Sequence, residues 1–397
     1  MNPQLKTIIK ELSDKYFSEI QNIRRHIHSN PELSFEEFET SKYIASKLEE
    51  YNIPFISGIA NNGIVATIKG KANSNKIVAL RADIDALPIT EKNDIPFKSK
   101  VVGKMHACGH DVHTASLLGA AKILNELKGK FSGIIKLVFQ PAEEKAPGGA
   151  KAMLEENLFG SEKPNLIIAQ HVMPSIDVGK VGFKSGMYMA STDEVFITVK
   201  GKGGHAALPH EITDTVLIAS HIVVSLQQIV SRHAPASIPS VLSFGRFIAD
   251  SALNAIPDEV KISGTFRTMD ENWRKEAKQK IKTISESIAK GMGGECEVNF
   301  IDGYPFLVND PKITSQAKEF TSDFIGTENI EDMEIRMTGE DFAYFSQEYP
   351  ATLFRLGTRN IKKNITSPLH SSTFDVDENS LKLGAGIMAW LAVSFLK

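Results

Sequence analysis

The chain has 397 residues, of which 42% are apolar and 23% are charged, and its formal net charge at pH 7 is −3. This length allows two domains with buried cores, and the absence of a basic block argues against nucleic acid as a partner. No run approaches eighteen consecutive apolar residues, which disfavours a membrane span. The first six residues lack a secretory pattern, and Cys108 and Cys296 do not make a disulfide framework. We therefore expect a cytoplasmic protein.

The first part of the chain predicts alternating helices and strands, from apolar residues at helical spacing and from short apolar runs bounded by glycine or asparagine. In chain order, helices are predicted at 4–28 and 36–48, strands at 64–68 and 77–80, a helix at 113–127, a strand at 134–139, a helix at 149–157 and a strand at 166–170. Polar residues of catalytic type follow three of these strands. Such a repeat is typical of a mostly parallel sheet with its site at the strand ends.

The pattern changes between residues 189 and 303. The elements predicted there are a strand at 194–200, a helix at 213–231, strands at 240–248 and 260–267, a helix at 272–290 and a strand at 296–301. This β-α-β-β-α-β order is that of a split βαβ, or ferredoxin-like, unit. The first pattern then resumes with a closing helix at 381–396. The sequence thus predicts an α/β fold in which a mostly parallel-sheet domain, residues 1–188 and 304–397, is interrupted by an inserted domain, residues 189–303.

The stretch Met105–His113 has the composition of a metal site. It reads Met-His-Ala-Cys-Gly-His-Asp-Val-His, so three of the eleven histidines and one of the two cysteines lie within eight positions. Thiolate and neutral imidazole are ligands of transition metals. Cys108 and His110 are two positions apart, so an extended or turn backbone points both side chains the same way. The alternative is a polar loop that contains a buried thiol.

Residues of the same chemical type recur downstream, at Glu143-Glu144, His171 and His370. Together with Cys108 and His110, five ligands are more than one open catalytic ion needs, and they fit two divalent ions that share a ligand and a water. Neighbouring side chains beyond a strand point in different directions, so one of the two glutamates can bind metal while the other acts as a general base. The alternative for this pair is two solvated side chains.

Other catalytic signatures are weak. Gly201–Ala206 fits a loose Gly-x-Gly-x-x-Ala between a strand and a helix, but the acidic residue that would bind a ribose about twenty positions later is missing. The sequence contains neither a Gly-x-Ser-x-Gly elbow nor a Walker loop. We therefore disfavour nucleotide binding and serine-based hydrolysis.

Several motifs in combination resemble the di-metal amidohydrolases, the aminoacylase, hippurate hydrolase and auxin-conjugate hydrolase branch of a larger metallopeptidase family. The motifs are Arg25-His-Ile-His28 with Pro31-Glu-Leu33, Arg81-Ala-Asp-Ile-Asp-Ala-Leu-Pro88, Met105-His-Ala-Cys-Gly-His-Asp111, Gln140-Pro-Ala-Glu-Glu144 and Gly203-Gly-His205. The resemblance runs from about His26 to His370. Peptidases of the wider family have His-x-Asp where this chain has Asp83-Ile-Asp85, so that ligand is missing here.

The resemblance implies a role for each of these residues. It implies two divalent ions per subunit, Mn²⁺ or Zn²⁺, in a catalytic domain interrupted by a lid or dimerisation domain. The implied metal ligands are Cys108, His110, Glu144, His171 and His370, and the implied general base is Glu143. His205 would stabilise the oxyanion, often across a dimer, and Asn254 and Arg267 would contact the substrate's carboxylate. Asp85 would be a carboxylate behind the ligands. Asp83, His106 and His113 are left with structural or supporting roles.

These implications predict a metal-dependent amidohydrolase that cleaves the amide bond of N-acyl amino acids. Glu143 would deprotonate the water held by the metals and return the proton to the leaving amine. Two alternatives remain open: a dipeptidase or carboxypeptidase of the wider family, and a catalytically silent metal- or peptide-binding protein with the same fold. The expected partners are a small-molecule substrate and a second copy of the chain, through the lid.

Overall fold

The structure, a computed structural model, describes residues 3–397. Their contacts divide the chain into two compact units. Unit 1 comprises the chain up to Gly186, Val308–Glu334 and Asp341–Lys397, and unit 2 comprises Met187–Leu307 and Ile335–Glu340.

Helices and strands occur throughout both units. The helices of the described residues are α1 (Pro3–Lys15), α2 (Phe17–Ser29), α3 (Phe38–Glu50), α4 (His110–Glu126), α5 (Gly149–Glu155), α6 (Thr215–Leu226), α7 (Glu271–Gly291), α8 (Pro311–Ile325), α9 (Ala343–Glu348) and α10 (Asn379–Phe395). The strands are β1 (Phe55–Ile59), β2 (Gly63–Lys69), β3 (Ala72–Asp83), β4 (Ser132–Gln140), β5 (Leu166–Asp177), β6 (Val181–Phe183), β7 (Gly186–Met189), β8 (Asp193–Lys200), β9 (Gly204–His205), β10 (Ser240–Ile248), β11 (Ala255–Ile256), β12 (Glu259–Thr268), β13 (Glu295–Asp302), β14 (Leu307–Asn309), β15 (Ile330–Asp332) and β16 (Ala351–Arg359).

Unit 1 is built on a mixed, mostly parallel sheet of eight strands within the described residues, in the order β1-β2-β4-β3-β5-β16-β6-β15. Strand β3 runs parallel to both β4 and β5, and β5 runs parallel to β16. Strands β1 and β2 add an antiparallel edge. The α/β fold with a large, mostly parallel sheet is therefore confirmed. The parallel centre brings the carboxyl ends of β3 and β4, at Asp83 and Gln140, to one edge of the sheet.

Several sequence predictions about element bounds are wrong in unit 1; the strand predicted at 77–80, for example, is β3, Ala72–Asp83, and the helix predicted at 113–127 is α4, which begins at His110. The predicted helix at 4–28 is two helices, α1 and α2, because the backbone at Tyr16 leaves the helical region, with φ −93° and ψ 0°. The predicted strand at 166–170 continues to Asp177, since β16 pairs with it beyond His171. His171 therefore lies inside a strand that is hydrogen-bonded to a neighbour.

Helices α4 and α10 lie in the middle of the unit 1 core. Nearly every residue of α4 from His110 to Leu124 is buried, and so is nearly every residue of α10 from Ser380 to Ser394. The two helices pack on each other and on α1 and α2. Apolar burial of this extent is the main stabilising term of a domain. It fixes the first turn of α4, which carries His110.

Unit 2 contains a four-stranded antiparallel sheet in the order β10-β12-β8-β13. Strand β8 alternates buried and less buried residues, and its buried side chains pack against α6 and α7 in a separate apolar core. Asp214 and Asp270 cap the two helices by accepting hydrogen bonds from Leu217 N–H and Trp273 N–H. The chain order in this unit is β8, α6, β10, β12, α7 and β13.

One helical segment of the described residues, Thr215–His233, is long and apolar enough to cross a membrane by length and composition alone. This is weak evidence, because core helices of soluble proteins pass the same test. The segment consists of α6 and a π-helical turn, Ile229–His233. Its side chains Ile218, Ile222 and Ile229 pack into the core of unit 2.

A buried ionic network joins α2 to the first turn of α4. The Arg24 guanidinium, 1% exposed, donates from Nε to Asp111 Oδ2 at 2.9 Å. His28 Nδ1 lies 2.9 Å from the same oxygen, and His28 Nε2 lies 3.2 Å from Glu91 Oε1. Burial alone lowers the pKa of His28, but its hydrogen bonds to Asp111 and Glu91 outweigh burial and raise that pKa to about 9.

We predict that His28→Gln flattens the dependence of stability on alkaline pH. The pKa of His28 is higher in the folded than in the unfolded chain, so its contribution is complete below about pH 6.5 and is lost as pH rises through about 9. The difference between the folded and unfolded pKa values of His28 corresponds to at most roughly 3 kcal/mol of unfolding free energy. Urea unfolding should show a steeper loss of unfolding free energy between pH 6.5 and 9.5 for the wild type than for His28→Gln.

The matched control is His26→Gln. Burial lowers the pKa of His26, so this residue is neutral in both states above pH 7 and its removal should leave the alkaline slope unchanged. Equal slopes for wild type and His28→Gln would show that His28 is not a charged member of the network.

Candidate metal centre

The predicted ligands are carried by different elements that meet at the carboxyl edge of the unit 1 sheet. Cys108 and His110 lie at the start of α4, the two glutamates follow β4, and His171 lies in β5. Gly109, between Cys108 and His110, has φ +86°, and a Cβ there would lie 2.4 Å from Val172 Cγ2. Glycine is therefore required at this position by both its backbone conformation and its close approach to β5.

The structure brings all five predicted ligand residues together. The donor atoms form two trios, Cys108–His110–His171 and Cys108–Glu144–His370. Within each trio, all the donor atoms lie within 4.8 Å of one another. Cys108 Sγ is 3.5 Å from His171 Nε2, and His370 Nε2 is 3.3 Å from Glu144 Oε1. With ordinary bond lengths, two ligands of one tetrahedral ion are about 3.3–3.6 Å apart. Cys108 belongs to both trios, so the five residues could hold two ions on either side of this thiol.

The electrostatics of these residues fit a divalent metal. Burial, followed by the charges of Glu144, Glu143 and Asp83, raises the pKa of the Cys108 thiol well above its usual value. Such a thiol stays protonated unless a cation is bound beside it, and a coordinated thiol is deprotonated outright. His110 Nε2, although buried, has no hydrogen-bond partner among the residues that the structure describes. The donor set and this orphaned nitrogen both call for a cation.

Asp85 orients two of the predicted ligands. His110 Nδ1 lies 2.9 Å from the Asp85 carbonyl oxygen and 3.0 Å from Asp85 Oδ1, so the proton of Nδ1 is directed away from the centre. Asp85 Oδ2 accepts from the Glu144 N–H at 3.0 Å and from Ser34 Oγ at 2.6 Å. Burial raises the pKa of Asp85, but these hydrogen bonds outweigh it, so the carboxyl stays ionised.

Carboxylates surround His110 on its other side as well. Its Nε2 lies 3.6 Å from Asp83 Oδ2, 3.9 Å from Glu144 Oε1 and 4.0 Å from Glu143 Oε2. Burial lowers the pKa of His110, but Asp83, Asp85 and Glu144 outweigh burial and raise that pKa to about 10. The site therefore favours a positive charge at this atom, whether a proton or a metal ion supplies it.

His113 and Asp83 support His171. His113 Nδ1 lies 2.5 Å from Asp83 Oδ1, and His113 Nε2 accepts the Val172 N–H at 2.8 Å. Both ring nitrogens are thus occupied, although Asp83, His110 and His113 also cluster at metal-binding distance. His171 Nδ1 donates to the Val172 carbonyl at 2.8 Å, which directs Nε2 to Cys108. His106 is also buried, and burial lowers the pKa of its imidazole to about 4.

The predicted general base lies beside this cluster. Glu143 is 6% exposed, and its Oε1 accepts the Asp341 N–H at 3.4 Å. Its oxygens also belong to a trio with His110 and Glu144 at metal-binding distance. Adjacent glutamates on one turn thus face the same centre, and the geometry is compatible with one of them as ligand and the other as base.

Sequence reasoning missed a buried charge pair under this site. Arg81, fully buried, donates to Gln140 Oε1 at 2.8 Å, to Asp83 Oδ2 at 2.7 Å and to Asp341 Oδ1 at 2.9 Å. Asp341 Oδ2 also accepts the Ala150 N–H at 3.0 Å. Asp341 lies 260 residues from Arg81 along the chain, and no local sequence pattern relates the two.

The three remaining predicted site residues belong to unit 2. His205 on β9 stands opposite Ala255 on β11, and the Ala206 N–H donates to the Asn254 carbonyl at 2.9 Å, so His205 and Asn254 are neighbours. Arg267 lies near the far end of β12, where its Nε donates to Thr265 Oγ1 at 2.9 Å. The structure thus pairs His205 with Asn254 and leaves Arg267 apart from them. The roles of all three stay predictions.

Comparison with known proteins decides the family. Residues 79–393 match the profile of peptidase family M20/M25/M40. The chain belongs to peptidase family M20. A relative called thermostable carboxypeptidase 2, from Saccharolobus solfataricus, is 41% identical over 99% of this chain and 98% of its own length. The N-acetylcysteine deacetylase of Bacillus subtilis is 37% identical over 97% of this chain and 99% of its own length.

A solved structure agrees with this assignment. The YXEP protein of Bacillus subtilis, described as a dinuclear metal binding peptidase from the M20 family, superposes with a TM-score of 0.84. It is 35% identical and covers 96% of this chain and 99% of its own. The resemblance to the metallopeptidase family, predicted from the motifs, is therefore confirmed, and M20 membership makes the chain a hydrolase of amide or peptide bonds.

We predict that metal protects Cys108 from alkylation. As a metal-bound thiolate in a buried site, Cys108 should react with iodoacetamide only after a chelator has stripped the protein, at an alkaline pH that ionises the free thiol, whose pKa is raised. Cys296, half-buried on β13, provides the internal control and should label equally with and without metal. Peptide mass spectrometry measures both. Equal labelling of Cys108 in metal-loaded and stripped protein, with the fold intact, would argue against its being a ligand.

Proposed function

We propose that this M20 hydrolase cleaves the amide bond of N-acyl amino acids at a centre of two divalent ions. The observation that carries the proposal is the pair of donor trios sharing Cys108, with Glu143 beside them. The relative named N-acetylcysteine deacetylase supports the N-acyl substrate class. The thiolate and imidazole donors suit Zn²⁺, whereas Mn²⁺ prefers more oxygen, so metal analysis of the purified protein decides between them.

The reaction assigns separate work to the chain's own residues. Cys108, His110, Glu144, His171 and His370 would hold the two ions. Metal ions bound there would supply Lewis acidity, which polarises a substrate carbonyl and lowers the pKa of a bound water. Glu143 accepts a proton from that water as its oxygen bonds to the carbonyl carbon, and then delivers the proton to the nitrogen as the C–N bond breaks. Asp85 keeps His110 and Glu144 oriented throughout.

A second candidate is carboxypeptidase activity, which the 41% identical relative favours. Both reactions cleave an amide next to a free carboxylate, so they use the same centre. They differ in what lies on the acyl side: a simple acyl group in one case and a peptide in the other. A catalytically silent binding protein is the third candidate, and turnover of any substrate excludes it.

The test is a hydrolysis panel with the metal-loaded protein. It compares N-acetyl, N-benzoyl and longer N-acyl amino acids with free dipeptides and N-blocked peptides, and each N-acyl amino acid with its carboxamide. We expect the largest kcat/KM for the N-acyl amino acids. We also expect a higher KM for the carboxamides, because Arg267 and Asn254 are assigned to the carboxylate. Preference for free dipeptides or for blocked peptides would replace the proposed substrate class with the corresponding peptidase.

We predict that glutamine substitutions of the two adjacent glutamates impair the enzyme in different ways. Glu144→Gln replaces a charged ligand oxygen by a neutral amide, so one ion should bind more weakly and excess metal should partly restore turnover. Glu143→Gln keeps size and shape but cannot accept the proton. It should retain both ions, and its kcat should fall by roughly 10²–10⁴-fold whatever the metal concentration.

Metal stoichiometry and kcat across a metal titration distinguish these outcomes. If Glu143→Gln loses metal and recovers turnover in excess ion, while Glu144→Gln does neither, the two assignments are reversed. Near-normal turnover in both variants would exclude the mechanism itself.

We propose further that unit 2 is a ferredoxin-like lid and dimerisation domain. Its element order and sheet order support the topology. His205 Nδ1 accepts the Ala207 N–H at 3.1 Å, which leaves the ring proton on Nε2, where it can donate to an oxyanion. Strand β12 begins at Glu259, shortly after β11, which pairs with the strand that carries His205. Arg267 lies eight residues further along β12, roughly 26 Å of extended strand from that end. This distance favours one substrate contacting His205 and Asn254 of one chain and Arg267 of another.

We predict that His205 acts across a dimer. His205→Ala should lower kcat by roughly 10²–10³-fold, the scale of one lost oxyanion donor, without loss of metal. Mixed dimers of His205→Ala with Glu143→Gln should regain part of the activity, because one of their two sites combines an intact base with an intact histidine. Sedimentation first establishes the dimer. No recovery in verified mixed dimers would assign His205 to the site of its own chain.

A further inference from the structure

The turn that carries Glu143 has an unfavourable backbone. Strand β4 ends at Gln140, and Ala142 then adopts φ +52°, in the left-handed region that L-residues other than glycine rarely occupy. Ala142 is fully buried. A conformation of this kind persists only where surrounding contacts impose it, and such positions concentrate at functional sites. The contacts that impose it on Ala142 are therefore part of how Glu143 is presented.

A buried carboxyl group from another part of unit 1 supplies the principal contact. Glu37 Oε1 accepts the Ala142 N–H at 2.7 Å, and Glu37 Oε2 accepts from Asn62 Nδ2 at 3.0 Å. Glu37 is 0% exposed and Asn62 is 2% exposed. Glu37 occupies the N-cap position of α3 but makes no capping hydrogen bond with its side chain. Its side chain thus serves the turn rather than its own helix.

The residues on both sides of Glu143 are each held through their backbone N–H by a buried carboxylate. Glu37 holds the N–H of Ala142, and Asp85 holds the N–H of Glu144 at 3.0 Å. The Ala142 carbonyl accepts the Gly149 N–H at 3.0 Å. Asp85 secures the side of the turn that carries the predicted ligand, whereas Glu37 secures the side that precedes the predicted base.

We infer that Glu37, held by Asn62, is a positioning residue that keeps the Ala142 turn in its left-handed conformation and thereby aims Glu143 at the centre. The inference rests on the proposed function, since it assigns Glu143 as the base. Burial and the nearby charge of Asp85 raise the pKa of Glu37 to about 7, so a neutral side chain is accommodated there. Glutamine can make both hydrogen bonds if the Asn62 amide is reversed, whereas leucine can make neither.

The experiment compares Glu37→Leu with Glu37→Gln and with Glu36→Leu, a matched control whose side chain is 61% exposed. Because a misplaced catalytic group loses rate rather than binding, Glu37→Leu should lower kcat by roughly 10–100-fold, with KM within about three-fold of wild type and both ions retained. Glu37→Gln should stay within about three-fold of wild type. Glu36→Leu should resemble wild type.

A second substitution tests the backbone directly. Ala142→Gly removes the penalty of the left-handed conformation, so the turn should depend less on Glu37. Ala142→Gly combined with Glu37→Leu should therefore recover part of the lost kcat. The fall in Tm caused by Glu37→Leu should also be smaller in the Ala142→Gly background than in wild type, by differential scanning calorimetry.

Each contrary result overturns the inference. Equal kcat for Glu37→Leu and Glu36→Leu would show that Glu143 does not need Glu37. A kcat loss that excess metal reverses would assign Glu37 to the ligand Glu144 instead. Additive falls in Tm for the two substitutions would exclude the backbone coupling. The Tm comparison needs no turnover. It therefore tests the role of Glu37 in the Ala142 turn even if the protein hydrolyses none of the substrates in the panel and the proposed function is wrong.

Discussion

The buried guanidinium of Arg81 is the interaction on which the arrangement of the metal centre depends. It lies inside the sheet of unit 1 and contacts Asp83 at the end of β3, Gln140 at the end of β4 and Asp341 on a loop. Leaving a buried charge without its partner costs about 3–5 kcal/mol, so these three segments are locked to one another. The turn with Glu143 and Glu144 begins directly after Gln140. Its starting point is thereby set by the buried contacts of Arg81.

Negative charge dominates the other side of this network. Asp83, Asp85, Glu143 and Glu144 all lie within about 4 Å of His110, and Arg81 donates a hydrogen bond to Asp83. Carboxylates that share a buried site repel one another unless a cation lies between them. The raised pKa of His110 expresses the same excess of negative charge, which also adds to the effect of burial in raising the pKa of Cys108. Divalent ions relieve this repulsion, which connects the folding of the site to its chemistry.

Carboxylates in the surrounding layer share one task, which is to fix ligands and base through backbone or ring N–H groups. Asp85 acts on His110 and Glu144, Asp83 acts on His113, and Glu37 acts on Ala142. Charge-assisted hydrogen bonds of this kind are short and directional, and buried ones are strengthened by the low local dielectric. A centre assembled from four separate stretches of chain thus obtains its rigidity from acceptors that reach across the fold.

The sequence by itself determined which residues could bind metal, because ligand chemistry depends on residue type and because Cys108 and His110 are local neighbours. It also determined the parallel sheet, since apolar runs that end in polar residues reflect burial on both faces. Only the tertiary structure decided the support of the site. Arg81 and Asp341 are 260 residues apart, and Glu37 and Ala142 are 105 residues apart. No local pattern relates such residues, and a glutamate before a helix looks the same whether it faces solvent or crosses the fold to hold a strained turn.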